Sequence, residues 1–309
     1  MDPIMSFPPK SYIVYQCYGS KEIFDECIFS LITFSSFHKK EDLANLEIWI
    51  YTDRPERFEA LKDCWLPLHY RTIDKSLLAQ WRGEIDFVHR VKIEVLRDFT
   101  KEREGNVLYL DTDVTFLKSI STVFDGIAQG KRYMHVMEGA IESERSVVIK
   151  KLKKYLTKKP EVKVGDKKIK VSLDTEMWNA GVLGFKIGTV VLEEVLSFTD
   201  HLHKKYPKHI VEQFAFSYFF QQQQDVKTTG AYILHYWNFK SLRLLLASFL
   251  AHFNNATWDE LIQYSQLVQI PAEMQIRTNY LEYRSHKDHL VNKKWMPVIP
   301  DWEHLLKQL

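Results

Sequence analysis

The sequence predicts an α/β fold: a mixed, mainly parallel β-sheet flanked by helices and followed by a helical C-terminal extension. Three observations carry that expectation. Short runs rich in β-branched and aromatic residues, of the kind that form buried strands, recur through the first half of the chain. Segments with apolar residues at helical spacing alternate with them, the pattern of βα units and a parallel sheet. Two of the strand-like runs end in aspartates, at the carboxyl ends where such sheets hold their ligands.

Ser11 to Tyr18 contains Tyr-Ile-Val-Tyr and reads as the first buried strand, closed by Gly19. Glu22 to Phe37 follows with Ile23, Cys27, Leu31 and Phe34 at helical spacing. Leu46 to Tyr51 is the second strand and runs into Thr52-Asp53, after which Pro55 opens a helix through Leu61. Leu68 to Ile73 reads as a third strand, and Phe87 to Phe99 puts Val88, Val91, Val95 and Phe99 on one helical face. Asn106 to Leu110 is a strand that leads straight into Asp111-Thr112-Asp113. Ser146 to Thr157 reads as a helix and Gly165-Asp166 as a hairpin tip. Trp178 to Ile187 reads as strand, Val190 to Tyr206 and Glu212 to Phe220 as helices, Gln221 to Gln224 as a polar tract and Tyr232 to His235 as a last strand. From Leu242 onward the chain is helical and aromatic. No repeat or Gly/Ser-rich linker divides it, so residues 1–240 are expected to form one ligand-binding domain and 241–309 a helical extension packed on it.

The chain has 309 residues and is 45% hydrophobic, enough for a substantial core, which excludes a disordered chain or a disulfide-stapled miniprotein. Lys+Arg 42 against Asp+Glu 40 leaves a net charge of +2, which argues against a globally basic nucleic-acid binder. The charge is uneven: residues 145–170 carry ten Lys and one Arg against two acids, a net of +9, and the rest of the chain is −7. A run of this kind forms a solvated surface insertion, or else a lid or surface that meets anionic acceptors or anionic lipid. Cys17, Cys27 and Cys64 are odd in number and lack zinc-ligand spacing, and no secretory signal precedes them, so reduced thiols in a cytoplasmic protein are expected. The longest apolar stretch, Leu242 to Phe253, carries Arg243 and is too short to span a bilayer, which leaves only peripheral membrane contact.

Asp111-Thr112-Asp113 is where chemistry concentrates. Two carboxylates two residues apart, after a buried strand, can converge on one hard cation such as Mg²⁺ or Mn²⁺ and leave its other positions to phosphate and water. Such a cation neutralises charge that grows on a leaving diphosphate. The same acids could instead cap the next turn, but acids abutting a buried strand need a partner for their charge.

With its strand, Val107-Leu-Tyr-Leu-Asp-Thr-Asp-Val114 resembles the Asp-x-Asp element of nucleotide-sugar-dependent glycosyltransferases of GT-A (Rossmann-like) fold. The likeness is to family 8, the glycogenin and lipopolysaccharide galactosyltransferase kind. Four more segments match in order: His89-Arg90-Val-Lys92, Asn179-Ala-Gly-Val-Leu-Gly184, Glu212-Gln213 with Glu in place of the family's Asp, and His235-Tyr-Trp-Asn-Phe-Lys240. The matches fall between Ser11 and Lys240, and the last 69 residues lie outside them.

The resemblance implies that Asp111, Asp113 and neutral His235 hold Mn²⁺ or Mg²⁺, a mixed O/N set suited to either. It implies that Lys240 meets the diphosphate of a nucleoside-diphosphate sugar, UDP-linked in the family. It makes Asn179, Glu212 and Gln213 the catalytic candidates beside the sugar. The candidates for binding the donor nucleotide are Tyr18, Asp53, Arg90, Lys92, Thr112 and Gly181. The chemistry suits these roles: Arg90 for bidentate phosphate contact, Asn179 for hydroxyls as donor and acceptor, Asp53 for the base or ribose, and Gly181 for close backbone approach. Each also has a plainer reading. Arg90 and Lys92 could be an exposed helix face, Asp53 a helix cap, the Asn179 segment a capped strand turn, and Lys240 a solvated lysine. Trp178 and Trp237 could stack on an acceptor sugar or pack in the core.

The expected function is metal-dependent transfer of a sugar from a UDP-sugar to a saccharide or other hydroxyl acceptor, anionic in one reading, with retention of configuration. Inversion would need a carboxylate base, for which Asp174, Glu176 and Glu212 are available. One alternative is a haloacid-dehalogenase-like phosphatase, because Asp111-Thr-Asp-Val-Thr115 fits that family's nucleophile element. Several βα units precede the motif here, however, and no Asp-Asp pair follows it. Another alternative is a module that binds nucleotide-sugars without turnover. No Gly-x-Gly-x-x-Gly follows the first strand, and Gly130-Lys131-Arg132 lacks the P-loop Ser/Thr, so dinucleotide and P-loop chemistry are disfavoured.

Overall fold

Strands and helices alternate through the first half of the computed structural model, which describes residues 7–143, 146–222 and 224–309. Arg145 of the basic run, Gln223 of the polar tract and residues 1–6 lie outside the described residues. The chain opens with β1 (Ser11–Cys17), α1 (Lys21–Ser35), β2 (Leu46–Thr52), α2 (Glu56–Glu59), β3 (Leu68–Thr72), α3 (Lys75–Arg82) and α4 (Arg90–Thr100). β4 (Asn106–Leu110) and β5 (Val114–Phe116) flank the Asp-x-Asp element, and α5 (Ser121–Ala128), β6 (Arg132–Met134) and β7 (Met137–Ala140) follow. The basic run forms α6 (Val147–Lys158) and a hairpin of β8 (Glu161–Val164) and β9 (Lys167–Lys170). Then come β10 (Glu176–Trp178), β11 (Val182–Lys186), α7 (Leu192–Lys205), α8 (Ile210–Phe220), β12 (Val226–Thr228) and β13 (Ile233–His235). The C-terminal segment is α9 (Leu242–His252), α10 (Trp258–Tyr264), α11 (Ile270–Tyr283), α12 (His286–Leu290) and α13 (Trp302–Leu306).

Seven strands form the central sheet in the order β12-β6-β11-β4-β1-β2-β3. All run parallel except β11, which is antiparallel to both β4 and β6. The sheet is therefore mixed and mainly parallel, as expected. β4 is buried at every residue and β1 at all but Gln16, because helices cover both faces. One face packs on α1, α5, α9 and α10, and the other on α4, α6, α7 and α8. Within α1, Phe24 through Ser35 are all buried, since the helix is enclosed by the sheet below and by α9 and α10 above.

The departures from expectation are local. The strand expected over Trp178 to Ile187 is two strands. Asn179 still exchanges backbone hydrogen bonds with Val136 and His135, whereas Gly181 O already accepts Asp111 N, so the chain changes partner between them. The helix at Pro55 is one turn, and α4 begins at Arg90 rather than Phe87. α3 was not expected; Asp74 caps it by accepting Leu77 N at 2.7 Å. β5 and α5 are likewise additions.

The C-terminal helices are joined to α1 by specific contacts. Trp258 is fully buried, and its Nε1 donates to Ser35 Oγ at 3.2 Å. Arg243 of α9 makes a two-pronged ion pair with buried Glu26 of α1, at 2.8 and 2.9 Å. No helix among the described residues is long and apolar enough to cross a membrane. Truncating Trp258 empties the centre of the α1–α10 contact, so we expect Trp258→Ala to lower stability by about 3–5 kcal/mol in urea denaturation. A loss well under 1 kcal/mol would show that α10 does not brace α1.

Candidate active site

Two backbone pairings assemble the site. β11 lies antiparallel to β4 with Val182 opposite Leu110, which carries Asn179, Ala180 and Gly181 past Asp111. β13 lies antiparallel to β5 with His235 opposite Val114, and Tyr236 N donates to Asp113 O at 3.1 Å. His235 thus reaches the acids from 122 positions away in sequence. Carboxylate oxygens of Asp111 and Asp113 and a ring nitrogen of His235 all lie within 4.8 Å of one another.

The tautomer of His235 follows from its neighbours. Asn179 Oδ1 accepts from Gly181 N at 3.0 Å, so it is the carbonyl end of the amide. The same oxygen lies 2.7 Å from His235 Nδ1, which must therefore carry a proton and donate. In a neutral imidazole that leaves Nε2 as a lone pair, and Nε2 faces Asp113 Oδ1 at 3.0 Å. Two lone pairs at that distance need a proton or a cation between them. The donor set, two carboxylates and an imidazole oriented from behind, fits Mn²⁺ or Mg²⁺. Gly181 is required here: a Cβ would stand 2.2 Å from His235 Nδ1 and Cε1.

Charges around the site are paired across elements. Lys92 Nζ lies 3.1 Å from Asp111 Oδ1 and 3.3 Å from Glu212 Oε1, and donates to Ala180 O at 2.9 Å. Tyr109 Oη donates to Asp111 Oδ1 at 3.0 Å. Lys240 Nζ donates to Asp113 Oδ2 at 3.0 Å. Burial pushes the Asp113 carboxyl up, but the hydrogen bonds and charges of His235 and Lys240 outweigh it and hold the group well below the usual carboxylate range. Burial works against the charge of Lys92, but Asp111 and Glu212 more than offset it. Glu212 is pushed up to about 7 by burial, against the pull of Lys92 and with the Asp111 charge adding to the rise.

These groups line an open cleft of about 550 Å³, with Asn179, Gly181, Glu212, Gln213 and Lys240 on its walls. The cleft and its backing also hold Glu138 and His135, which the sequence did not single out, and His89, which it named only within a matched segment. Glu138 of β7 accepts Asn179 Nδ2 at 3.0 Å and Gln213 Nε2 at 2.8 Å, and so fixes the direction of both amides. His89 lines the cleft and is pushed down to about 4 by burial and then by Lys92. Behind the site, buried His135 sets its Nε2 3.2 Å from the backbone N–H of His235 and 3.1 Å from Ile233 O, bracing β13. Neither Glu138 nor His135 belongs to a spacing pattern; each is recognisable only once β7 and β13 are in place.

Several expected residues stand elsewhere. Arg90 does not reach the cleft: its guanidinium bonds Asp200 Oδ1 at 2.8 Å, Glu94 Oε1 at 2.7 Å and Trp81 O at 2.6 Å. Asp53 and Tyr18 follow β2 and β1 at the same sheet edge as Asp111 but do not line this cleft, and Asp53 lies 3.7 Å from Arg54. Thr112 is buried between the two acids. Asp174 and Glu176 border a separate groove, where Glu176 accepts Trp178 Nε1 at 2.8 Å. Trp178 is buried, whereas Trp237 lines the cleft and is half exposed.

No family model matches the chain, and no curated protein does. Several solved structures similar to it are glycosyltransferases. The galactosyltransferase LgtC, in complex with donor and acceptor sugar analogues, matches over 67% of this chain and 70% of its own, with 13% identity and a TM-score of 0.42. The apo glycosyltransferase GlyE of Streptococcus pneumoniae TIGR4 matches over 85% of this chain and 65% of its own, with 16% identity and a TM-score of 0.47. Apo mouse xyloside xylosyltransferase 1 matches over 71% and 85%, with 11% identity and a TM-score of 0.44.

Two predictions follow from the geometry. Gly181→Ala drives a methyl into the His235 ring, so titration calorimetry should show Mn²⁺ binding at least roughly tenfold weaker, a loss of about 1.4 kcal/mol; unchanged affinity would remove His235 from the site. The second concerns Glu212, whose folded value of about 7 exceeds the ordinary 4.5. The folded state then binds more protons than the unfolded state across that window, so Glu212 lowers stability as pH rises through it. Glu212→Gln removes this slope, and stability relative to wild type should climb from pH 5 to pH 8 by on the order of 3 kcal/mol. A difference that stays flat with pH would place the carboxylate in water.

Proposed function

We propose that this chain is a divalent-metal-dependent glycosyltransferase that moves a sugar from a nucleoside-diphosphate sugar, UDP-linked, to a hydroxyl acceptor with retention of configuration. One observation carries the reading: Asp111, Asp113 and a tautomer-fixed His235 converge beside Lys240 at the floor of an open cleft. Resemblance in the Asp-x-Asp element supports the donor class.

In this reading Asp111, Asp113 and His235 hold Mn²⁺ or Mg²⁺, and the ion's part is to neutralise charge on the departing diphosphate. The remaining work belongs to side chains. Lys240, more than half exposed at its side chain, can leave Asp113 and add a second positive charge at the diphosphate. Tyr109 and Lys92 keep the Asp111 oxygens in place. Asn179 orients His235 through Oδ1, and Asn179 and Gln213, both held by Glu138 on the cleft wall, are the side chains that would face the transferred sugar. Retention rests on the family resemblance, whereas inversion would draw on a carboxylate base. Asp174 and Glu176 are outside the cleft, Glu212 is tied to Lys92, and both Glu138 oxygens are engaged by amides. Of these, Glu212 and Glu138 line the cleft, each held by its partners.

The test is thermal stability against UDP and GDP, each with and without Mn²⁺. A ligand at one hundred times its Kd adds roughly 2.7 kcal/mol, which moves the midpoint by several degrees. We expect a metal-dependent shift with UDP that Asp113→Asn abolishes while the ligand-free midpoint stays near wild type. A shift of equal size in Asp113→Asn would sink the metal assignment.

A further inference from the structure

We propose that the lysine face of α6 docks an anionic acceptor glycan and leads it into the cleft. The inference rests on reading the cleft as a glycosyltransferase site and names the acceptor class which that reading leaves open. α6 is amphipathic: Ile149, Leu152 and Leu156 are buried, while Val147, Lys150, Lys151, Lys154 and Lys158 are exposed. Its 12 residues span about 18 Å at 1.5 Å per residue. The near end of this track is the cleft itself, since Val148 and Ile149 share its wall with Asp111 and Asp113. The β8–β9 hairpin extends the charge with exposed Lys163, Lys167 and Lys170, while Lys168 pairs with Glu161 at 3.3 Å.

The exposed lysines of α6 have no ion-pair partner among the described residues, in contrast to Lys92, Lys240, Arg90 and Arg243, each committed to a carboxylate. Like charges three and four residues apart repel on a helix, and positive charge near its N-terminus opposes the macrodipole. The face therefore costs helix stability with no compensating ion pair among the described residues. An external anion supplies the missing partner. A glycan suits the face better than a membrane does. Val147 is the one large exposed apolar residue among the described residues of the helix and hairpin, so little is offered for insertion into lipid. At the cleft the exposed Trp237 ring offers a surface on which a sugar can stack.

The experiment uses the full chain and two probes of equal length, a short oligouronate and a neutral oligoglucan, in titration calorimetry at low and high salt. We expect wild type to bind the oligouronate only, more weakly as salt rises. In the quadruple variant Lys150→Gln, Lys151→Gln, Lys154→Gln, Lys158→Gln, binding should fall about tenfold or more, with the UDP–Mn²⁺ thermal shift retained. Equal binding of both probes, or equal affinity in wild type and variant, overturns the proposal. So does a wild type that ignores the oligouronate but sediments with vesicles of anionic phospholipid and loses that in the variant. If wild type shows no UDP–Mn²⁺ shift, the reading of the cleft fails and the acceptor role with it; oligouronate binding reports on α6 by itself and keeps the two failures apart.

Discussion

The pairing of β13 with β5 is the constraint on which the site depends. Each strand is three residues long and contributes little stability alone. What it contributes is register. With His235 opposite Val114, the imidazole stands over Asp113; a slip of one residue would turn it to the other side of the ladder. The register is supported from both ends. His135 meets the His235 backbone from beneath, and Asn179 holds the ring by Nδ1. Asn179 is in turn held by Glu138 and by the Gly181 N–H. Five segments thus place one nitrogen, an arrangement that would hold a metal ligand in orientation ahead of an ion.

Much of this was legible in the sequence, for reasons that also show where legibility ends. The strands of the parallel sheet are buried on both faces, so they appear as uninterrupted apolar runs, and their carboxyl ends mark the ligand side. Asp111 and Asp113 needed no tertiary information, because strand geometry alone puts two residues of such a turn close together. Arg90 shows the limit. It was grouped with Lys92 as a basic pair, but residues two apart on an α-helix point roughly 200° away from each other. Lys92 faces Asp111, and Arg90 faces Asp200 on the opposite side. Glu138 was invisible for another reason: Met-Glu-Gly-Ala carries no periodicity, and its role comes from two amides 41 and 75 positions away. The tautomer of His235 is likewise a property of contacts, which no linear spacing encodes.

The charge balance of the site can be followed outward from Asp113. Arg243 is absorbed by Glu26, which leaves Lys240, three residues earlier, as the cation that faces Asp113. The segment entering α9 therefore sets how much positive charge faces Asp113. Across the cleft Lys92 serves Asp111 and Glu212 at once. With Glu212 ionised, Asp111, Asp113, Glu138 and Glu212 carry four negative charges against two from Lys92 and Lys240. Two are uncompensated, the number that one divalent cation removes. Glu212 records the deficit: its carboxyl rises to about 7 with Lys92 only 3.3 Å away, because burial and the Asp111 charge outweigh one shared ammonium. A cation between Asp111 and Asp113 would relieve the Asp111 part of that rise, so metal binding and the proton on Glu212 must oppose each other.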